Sequence, residues 1–156
     1  MKKSFYLIVL LIFCSCENSL KDLKKEPKAK EIAGNWKLDV PSYPAMLRYS
    51  FKCTDVQLTL HEDGSFEAKN FPNVMNEATT EQYADCQNIE GKWSIEKRMT
   101  KEKWAILLIA DESQAYGKNK SILFDLFLQN ERLILRHSFR DYKDTDSDER
   151  LQFFKI

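Results

Sequence analysis

The chain has 156 residues, of which 43% are hydrophobic and 31% are charged, and its 24 Lys and Arg residues balance 24 Asp and Glu residues. This is the length of one domain. The composition excludes a disordered chain and a polytopic membrane protein. The balanced charge argues against a nucleic-acid-binding protein, which usually carries a clustered basic excess.

The first 15 residues predict a signal peptide. Lys2 and Lys3 precede an unbroken run of ten apolar residues over positions 5–14. Ten helical residues span about 15 Å, which is half of a hydrocarbon core of roughly 30 Å. The run is therefore typical of the hydrophobic region of a secretory signal and not of a membrane-spanning helix.

The pair Ser15-Cys16 follows this run and resembles the lipobox of bacterial lipoproteins. In that family the signal is cut just before a Cys whose thiol receives a diacylglycerol. The resemblance implies that Cys16 is lipidated, although Phe13 and Cys14 depart from the usual Leu and small residue. Cys14 is the competing site, with the bulky Phe13 before it, and an ordinary cleaved signal with a free Cys is the alternative.

Acyl chains on Cys16 would hold the protein on a membrane. The resemblance therefore implies a location in the cell envelope, anchored by lipid to the outer membrane and facing the periplasm or the outside.

Residues 16–31 are predicted to be a flexible charged tether. Five Lys and four acidic residues accompany only two Leu there, so the segment lacks the apolar side chains of a core. Positions 1–31 hold seven Lys and four acidic residues, so residues 32–156 retain 17 basic and 20 acidic groups from the totals. The folded part is therefore mildly acidic.

Cys53 and Cys86 are the two Cys that remain after the leader and the lipidation site. Disulfides persist beyond the inner membrane, so we expect these two Cys to be bonded. The alternative is two buried free thiols. No Cys or His pair has the spacing of a metal site.

From Ile32 onward, apolar and polar residues alternate with the period of strands. The predicted strands are Ala33–Val40, Leu47–Cys53, Val56–Glu62, Phe66–Asn70, Gly91–Lys97, Lys103–Ala110, Ser121–Gln129, Arg132–Arg140 and Glu149–Ile156. Asp63-Gly64 predicts a hairpin turn. Residues 71–88 are predicted to be irregular, with a short helix over residues 77–84.

The sequence thus predicts an all-β fold, an up-and-down antiparallel β-barrel of eight or nine strands, with a β-sandwich as the alternative. Closing such a sheet removes its exposed edges, and about eight strands enclose either packed side chains or one small ligand. The strand Lys103–Ala110 is apolar on both faces, which predicts cover on both sides or a patch that faces lipid or a partner.

A glycine two residues before a tryptophan opens two of these strands, as Gly34 and Trp36 and again as Gly91 and Trp93. With the Asp-Gly hairpin and the closing segment 128–156, these motifs resemble the lipocalin-like domains of Bacteroidetes lipoproteins over nearly all of residues 32–156. The resemblance implies a lipocalin-like barrel in which these four residues are structural.

In lipocalins a basic side chain from the C-terminal part lies across the first-strand Trp. The resemblance makes Arg150 the candidate for this role beside Trp36.

Two functions remain open at this stage. The first is binding of a small apolar or amphipathic ligand at the open end of the barrel, and its candidate lining residues are Tyr49, Phe51, Phe66 and Trp104. The second is an interaction module that docks or inhibits an envelope protein. The two hypotheses differ on whether the barrel interior is empty or packed.

No enzymatic activity, cofactor or metal is predicted. The sequence has no nucleophile elbow, no His-Glu-x-x-His and no Gly-rich phosphate loop. Residues 144–148 imitate the start of a calcium loop. However, Glu149 stands where the loop requires Gly, and Lys155 stands where it requires a bidentate Glu. His137 lies on the predicted inward face and is interpreted as a hydrogen-bonded core or rim residue.

Overall fold

The computed structural model describes residues 19–48, 51–72, 86–99, 103–111, 121–139 and 150–156. Within these ranges the chain forms nine strands and two short α-helices. The strands are β1 (Lys21–Asp22), β2 (Gly34–Leu38), β3 (Gln57–Leu60), β4 (Ser65–Pro72), β5 (Cys86–Arg98), β6 (Lys103–Ala110), β7 (Ser121–Gln129), β8 (Arg132–Ser138) and β9 (Arg150–Lys155). The helices are α1 (Ala29–Ile32) and α2 (Tyr43–Arg48), and a 3-10 turn over Val40–Ser42 leads into α2.

Strands β2 to β9 form a closed antiparallel barrel. Each strand pairs with the next one along the chain, and β9 pairs with β2, where Trp36 lies opposite Lys155 and Leu38 opposite Phe153. The predicted up-and-down barrel is therefore confirmed. Closure satisfies the hydrogen-bonding groups at both edges of the sheet.

The alternation of the sequence becomes the inside and the outside of this barrel. On β3, for example, Leu58 is 0% and Leu60 1% exposed, whereas Gln57 is exposed and Thr59 is half-buried. Inward side chains from all eight barrel strands form one hydrophobic core. Its largest fully buried members are Trp36, Phe66, Phe71, Phe124 and Phe153, followed by Ile32, Leu58, Leu60, Ile106, Leu108, Leu126 and Leu135. Each such side chain contributes roughly 1.5–3 kcal/mol through burial.

The prediction of a strand over Leu47–Cys53 is wrong in the described part of that stretch. Leu47 belongs to helix α2, and residues 51–53 form no strand. The buried residues that precede this stretch, Ser42, Ala45 and Met46, have the i, i+3, i+4 spacing of a helix. A stretch this short can fit both a strand pattern and a helix pattern, and packing of the buried side against the barrel favours the helix.

Residues 40–48 and 51–53, called the cap below, cover one end of the barrel and are attached to it on two sides. The Ser42 hydroxyl donates to the Gln152 carbonyl oxygen (3.1 Å) and accepts from the Gln152 N–H (2.8 Å). On the other side Cys53 is bonded to Cys86 at the start of β5, with a Cα–Cα distance of 5.4 Å. The predicted disulfide is confirmed, and its role is to hold the cap to the sheet.

The described residues before the barrel, 19–31, contact it at a few points, while most of their side chains are exposed. β1 pairs with β7, where Lys21 lies opposite Leu128. Leu23 packs against the core, and Pro27 is buried. Helix α1 then ends at the fully buried Ile32. The few apolar residues of this segment are therefore used for packing, which composition alone does not reveal.

Replacing both Cys53 and Cys86 by Ser should lower the free energy of unfolding by about 3–4 kcal/mol, because the bond closes a loop with a sequence separation of 33 residues. Urea denaturation of the natural chain and the double variant measures the difference. Intact mass is the control for the presence of the bond. Reduction of the natural chain adds one hydrogen to each of the two sulfurs, about 2 Da in total. A double variant as stable as the natural chain would contradict this role.

Candidate functional site

Of the residues predicted to line a ligand pocket, Phe51 and Phe66 belong to one hydrophobic core and Trp104 packs against it. Phe51 is 7% exposed in the cap, and Phe66 is 1% exposed near the start of β4. Trp104 is half-buried near the start of β6, with the Lys97 ammonium 5.9 Å from its ring centroid. Tyr49 lies outside the described residues. Phe51 and Phe66 are thus parts of the packed core.

The first Gly-x-Trp motif joins α1, β2 and β9. Gly34 has a φ of +135°, which a side chain would strain, and a Cβ there would lie 3.0 Å from Lys155 Cε. Lys155 Nζ donates to the Glu31 carbonyl oxygen at 2.6 Å. Trp36 Nε1 donates to the Ile32 carbonyl oxygen at 3.1 Å. The motif therefore packs helix α1 and the end of β9 against the start of β2.

The basic residue beside Trp36 is Lys155, its partner across the β2–β9 ladder. The expectation that Arg150 fills this place is not met, because Arg150 is the first residue of β9, at the other end of the strand from Lys155, and lines an outer cleft.

The second Gly-x-Trp motif has a packing role of the same kind. A Cβ on Gly91 would overlap the Ile109 carbonyl oxygen of the neighbouring strand. Trp93 Nε1 donates to the His61 carbonyl oxygen at 2.8 Å, and the Trp93 N–H donates to the Gly64 carbonyl oxygen at 2.7 Å. Trp93 therefore holds the Asp63-Gly64 hairpin against β5.

A cleft of about 480 Å³ lies on the outer face of the barrel. Its lining residues come from the chain before the barrel, the cap and strands β7 to β9: Leu20, Asp39, Pro41, Gln129, Arg136, Arg150 and Gln152. Gln152 is only 3% exposed, and its Nε2 donates to Asp39 Oδ2 at 2.8 Å. Arg136 and Arg150 contribute guanidinium groups to this lining, and Asp39 contributes a carboxylate.

The outer wall formed by β6 and β7 divides into an ionic part and an apolar part. In the ionic part, the Arg98 guanidinium crosses from β5 to the Asp125 carboxylate (2.8 Å) over the small Ala105. Lys103 likewise pairs with Asp22 at 2.8 Å and attaches β1.

The apolar part, called the wall patch below, consists of Leu107, Ile109 and Leu123. Leu107 and Leu123 lie opposite each other in the β6–β7 ladder and are half-buried, and Ile109 is 43% exposed. The alternate residues of β6, such as Ile106 and Leu108, are fully buried in the core. This arrangement explains why the β6 sequence is apolar on both faces.

His137 lies on the inward face of β8, as predicted, among aromatic rings. Its ring meets Phe124 and Phe139 edge-on, with centroid distances of 5.9 Å and 5.3 Å. Nδ1 lies 2.9 Å from the Leu123 carbonyl oxygen, so the neutral ring carries its proton on Nδ1 and donates it. Burial lowers the pKa of His137, while the Leu123 bond and the charge of Asp125 oppose this shift.

Among the described residues, no group of three or more His, Cys, Asp and Glu side chains is placed to hold a metal ion. The calcium-loop imitation at residues 144–148 lies outside those residues. No helix in the described part of the chain has the length and apolar character needed to cross a membrane.

Comparison with known proteins finds no protein family whose pattern matches the chain, and no curated protein or solved structure with significant similarity to it.

His137→Gln should weaken the pH dependence of stability. The unfolded ring binds a proton near its ordinary pKa of about 6.5, and the folded ring only at lower pH, so the unfolded state takes up more protons in the window below about 6.5. Stability therefore falls as pH falls through this window. We expect the urea midpoint of the natural chain to drop more than that of the variant between about pH 7.5 and about pH 5.5. Equal drops would contradict the assignment.

Proposed function

We propose that the protein is a lipid-anchored, non-enzymatic interaction module of the cell envelope that docks another envelope protein. The observation that carries this proposal is the packed barrel interior. Phe51 and Phe66, two of the residues predicted to contact a ligand, are 7% and 1% exposed within the core. A barrel filled by its own side chains supports recognition by the outer surface.

The wall patch is the surface that we assign to the protein partner. The described part of its sheet is held by continuous ladders between β5, β6 and β7 and by the Arg98–Asp125 ion pair. Its apolar side chains are therefore presented by a rigid scaffold, which lowers the entropy that ordering costs on binding. Exposed apolar side chains with polar neighbours are typical of protein-binding surfaces.

The anchor is proposed from the sequence. The basic start, the apolar run and Ser15-Cys16 support lipidation of Cys16 and attachment to the outer membrane, on its periplasmic or outer side. The pairing of Cys53 with Cys86 agrees with an oxidising compartment.

Binding of a small amphipathic ligand is the second candidate function, and the outer cleft favours it. The cleft of about 480 Å³ combines the polar side chains of Gln129 and Gln152 with the apolar surface of Leu20 and Pro41, a mixture that suits an amphipathic molecule. This site differs in place from the barrel mouth that the sequence suggested.

Labelling growing cells with a radioactive fatty acid tests the anchor. The label should appear on the natural chain and on Cys14→Ser, and should be lost from Cys16→Ser, because only the Cys16 thiol would accept the diacylglycerol. Cys14→Ser is the matched control, since it removes the neighbouring thiol. Label retained on Cys16→Ser would contradict the proposed site.

A photo-crosslinking amino acid in place of Ile109 should give a crosslinked protein band in the envelope, and one in place of the exposed Lys69 on β4 should not. The added substitution Leu107→Asp should reduce this band by about tenfold or more, because it charges the centre of the wall patch, whereas Leu107→Met should keep it.

Two results would contradict the partner proposal. One is equal crosslinking from positions 109 and 69. The other is a band that Leu107→Asp leaves unchanged although the variant melts like the natural chain. A native mass above that of the lipidated chain would favour the amphipathic ligand instead.

A further inference from the structure

The end of the barrel that lies opposite the cap is called the turn end below. Successive strands of an up-and-down barrel run in opposite directions, so every second connection lies at the same end. The turn end therefore holds the Asp63-Gly64 hairpin, the paired residues Arg98 and Lys103 of β5 and β6, and the β7–β8 turn. The start of β2 and the end of β9 lie there as well.

The chain before the barrel is attached at the turn end. Lys21 lies opposite Leu128, which is one residue before the end of β7. The Lys103 ammonium at the start of β6 pairs with the Asp22 carboxylate at 2.8 Å. Helix α1 then leads into β2. Residues 19–31 therefore pass from β7 to the start of β2 at this end of the barrel.

These residues are basic, whereas the barrel is mildly acidic. Between positions 19 and 31 five Lys accompany Asp22, Glu26 and Glu31, and all five Lys are exposed. The Asp22 carboxylate is already paired with Lys103. The basic excess that precedes the barrel is thus placed at the turn end.

Exposed apolar side chains accompany this charge. Met99 follows β5 and is 95% exposed, and Ile156 follows β9 and is 69% exposed. Trp104 on β6 is half-buried, and the Lys97 ammonium lies 5.9 Å from its ring centroid. Basic, aromatic and apolar side chains in one region are the combination that proteins present to the interface of a bilayer.

The proposed anchor is close to the turn end. Cys16 precedes Lys21 by five residues, and five residues of extended chain span at most about 18 Å. Because β1 fixes Lys21 beside β7, a lipid on Cys16 is attached within that distance of Lys21, whichever path the chain between them takes. This step rests on the lipid attachment proposed above.

We propose that the turn end faces the lipid bilayer, with the β6–β7 side nearest to it. The Lys side chains of residues 19–31 contact anionic head groups, and Met99 enters the boundary between head groups and acyl chains. The acidic residues Glu62 and Asp63 belong to the β3–β4 hairpin, which is four strands away from the β7–β8 turn. In an eight-stranded barrel this is the far side, so the acidic hairpin is kept away from the anionic surface.

This arrangement would point the cap away from the membrane. The lipid holds the turn end close to the bilayer, so that even a weak attraction there is favoured by a high effective concentration. The wall patch would remain accessible to a protein partner. Ile109 lies six residues along β6 from Lys103, in the direction of the cap end, which is about 20 Å of strand.

The test uses the full lipidated protein in vesicles of phosphatidylethanolamine and phosphatidylglycerol. Benzoylphenylalanine replaces Met99 in one protein and Leu47 in another. Leu47 is the matched control, because it is an apolar residue of the cap that is 79% exposed. After irradiation, mass spectrometry should show about tenfold more phospholipid adduct at position 99 than at position 47.

Charge reversal tests the role of the Lys side chains, with the crosslinker kept at position 99. Lys24→Glu together with Lys25→Glu should lower the phospholipid adduct several-fold, because Glu repels the anionic phosphatidylglycerol. Lys37→Glu together with Lys69→Glu is the matched control and should preserve the adduct, since these residues lie toward the cap end of β2 and β4. All four Lys are exposed, so both variants should melt like the natural chain.

Four results would overturn the inference. They are equal phospholipid adducts at positions 99 and 47, more adduct at position 47, a crosslink from position 99 to protein instead of lipid, and equal effects of the two charge reversals. Mass and fractionation of the same samples separate this inference from the proposed function. A chain without lipid on Cys16 refutes the anchor, whereas a lipidated, membrane-bound chain with no excess of adduct at position 99 refutes only the orientation.

Discussion

The antiparallel pairing of β9 with β2 is the contact on which the rest of this structure depends. It joins the first and last strands of the barrel, and it continues into the bond from the Ile156 N–H to the Asn35 carbonyl oxygen (2.9 Å). Gly34 leaves room for the Lys155 side chain. The Lys155 ammonium then donates to the Glu31 carbonyl oxygen and holds helix α1 beside the start of β2. Without this closure the alternating strands would have two exposed edges and no enclosed interior.

Closure has a consequence for function, because the interior that it creates is filled. Phe71 stacks on Phe153 at 6.0 Å, and Phe124 meets Phe153 edge-on at 5.7 Å. Close-packed aromatic rings of this kind stabilise the core and use the space that a ligand would need. We therefore propose that recognition takes place on the outer surface, where the cleft and the wall patch are found.

These outer features differ in chemistry and in place. The cleft combines polar side chains with the apolar surface of Leu20 and Pro41. The wall patch is flanked by the Arg98–Asp125 ion pair, which suits a protein partner with both apolar and charged groups.

Local pattern in the sequence determined most of the strands and the Asp63-Gly64 hairpin, and the count of cysteines predicted the Cys53–Cys86 bond. Period-two alternation located β3 and β6 to within about two residues, because it follows from the geometry of every half-buried strand. Asp63-Gly64 predicted its turn for a similarly local reason: Gly64 has a φ of +82°. The cap helix, the packing of residues 19–31 and the outer cleft were decided only by the tertiary structure. The cleft, for instance, combines Leu20, Asp39 and Arg150, which are far apart in the chain. Closure brings such residues together, and long-range contacts of this kind leave no periodic signal in a single sequence.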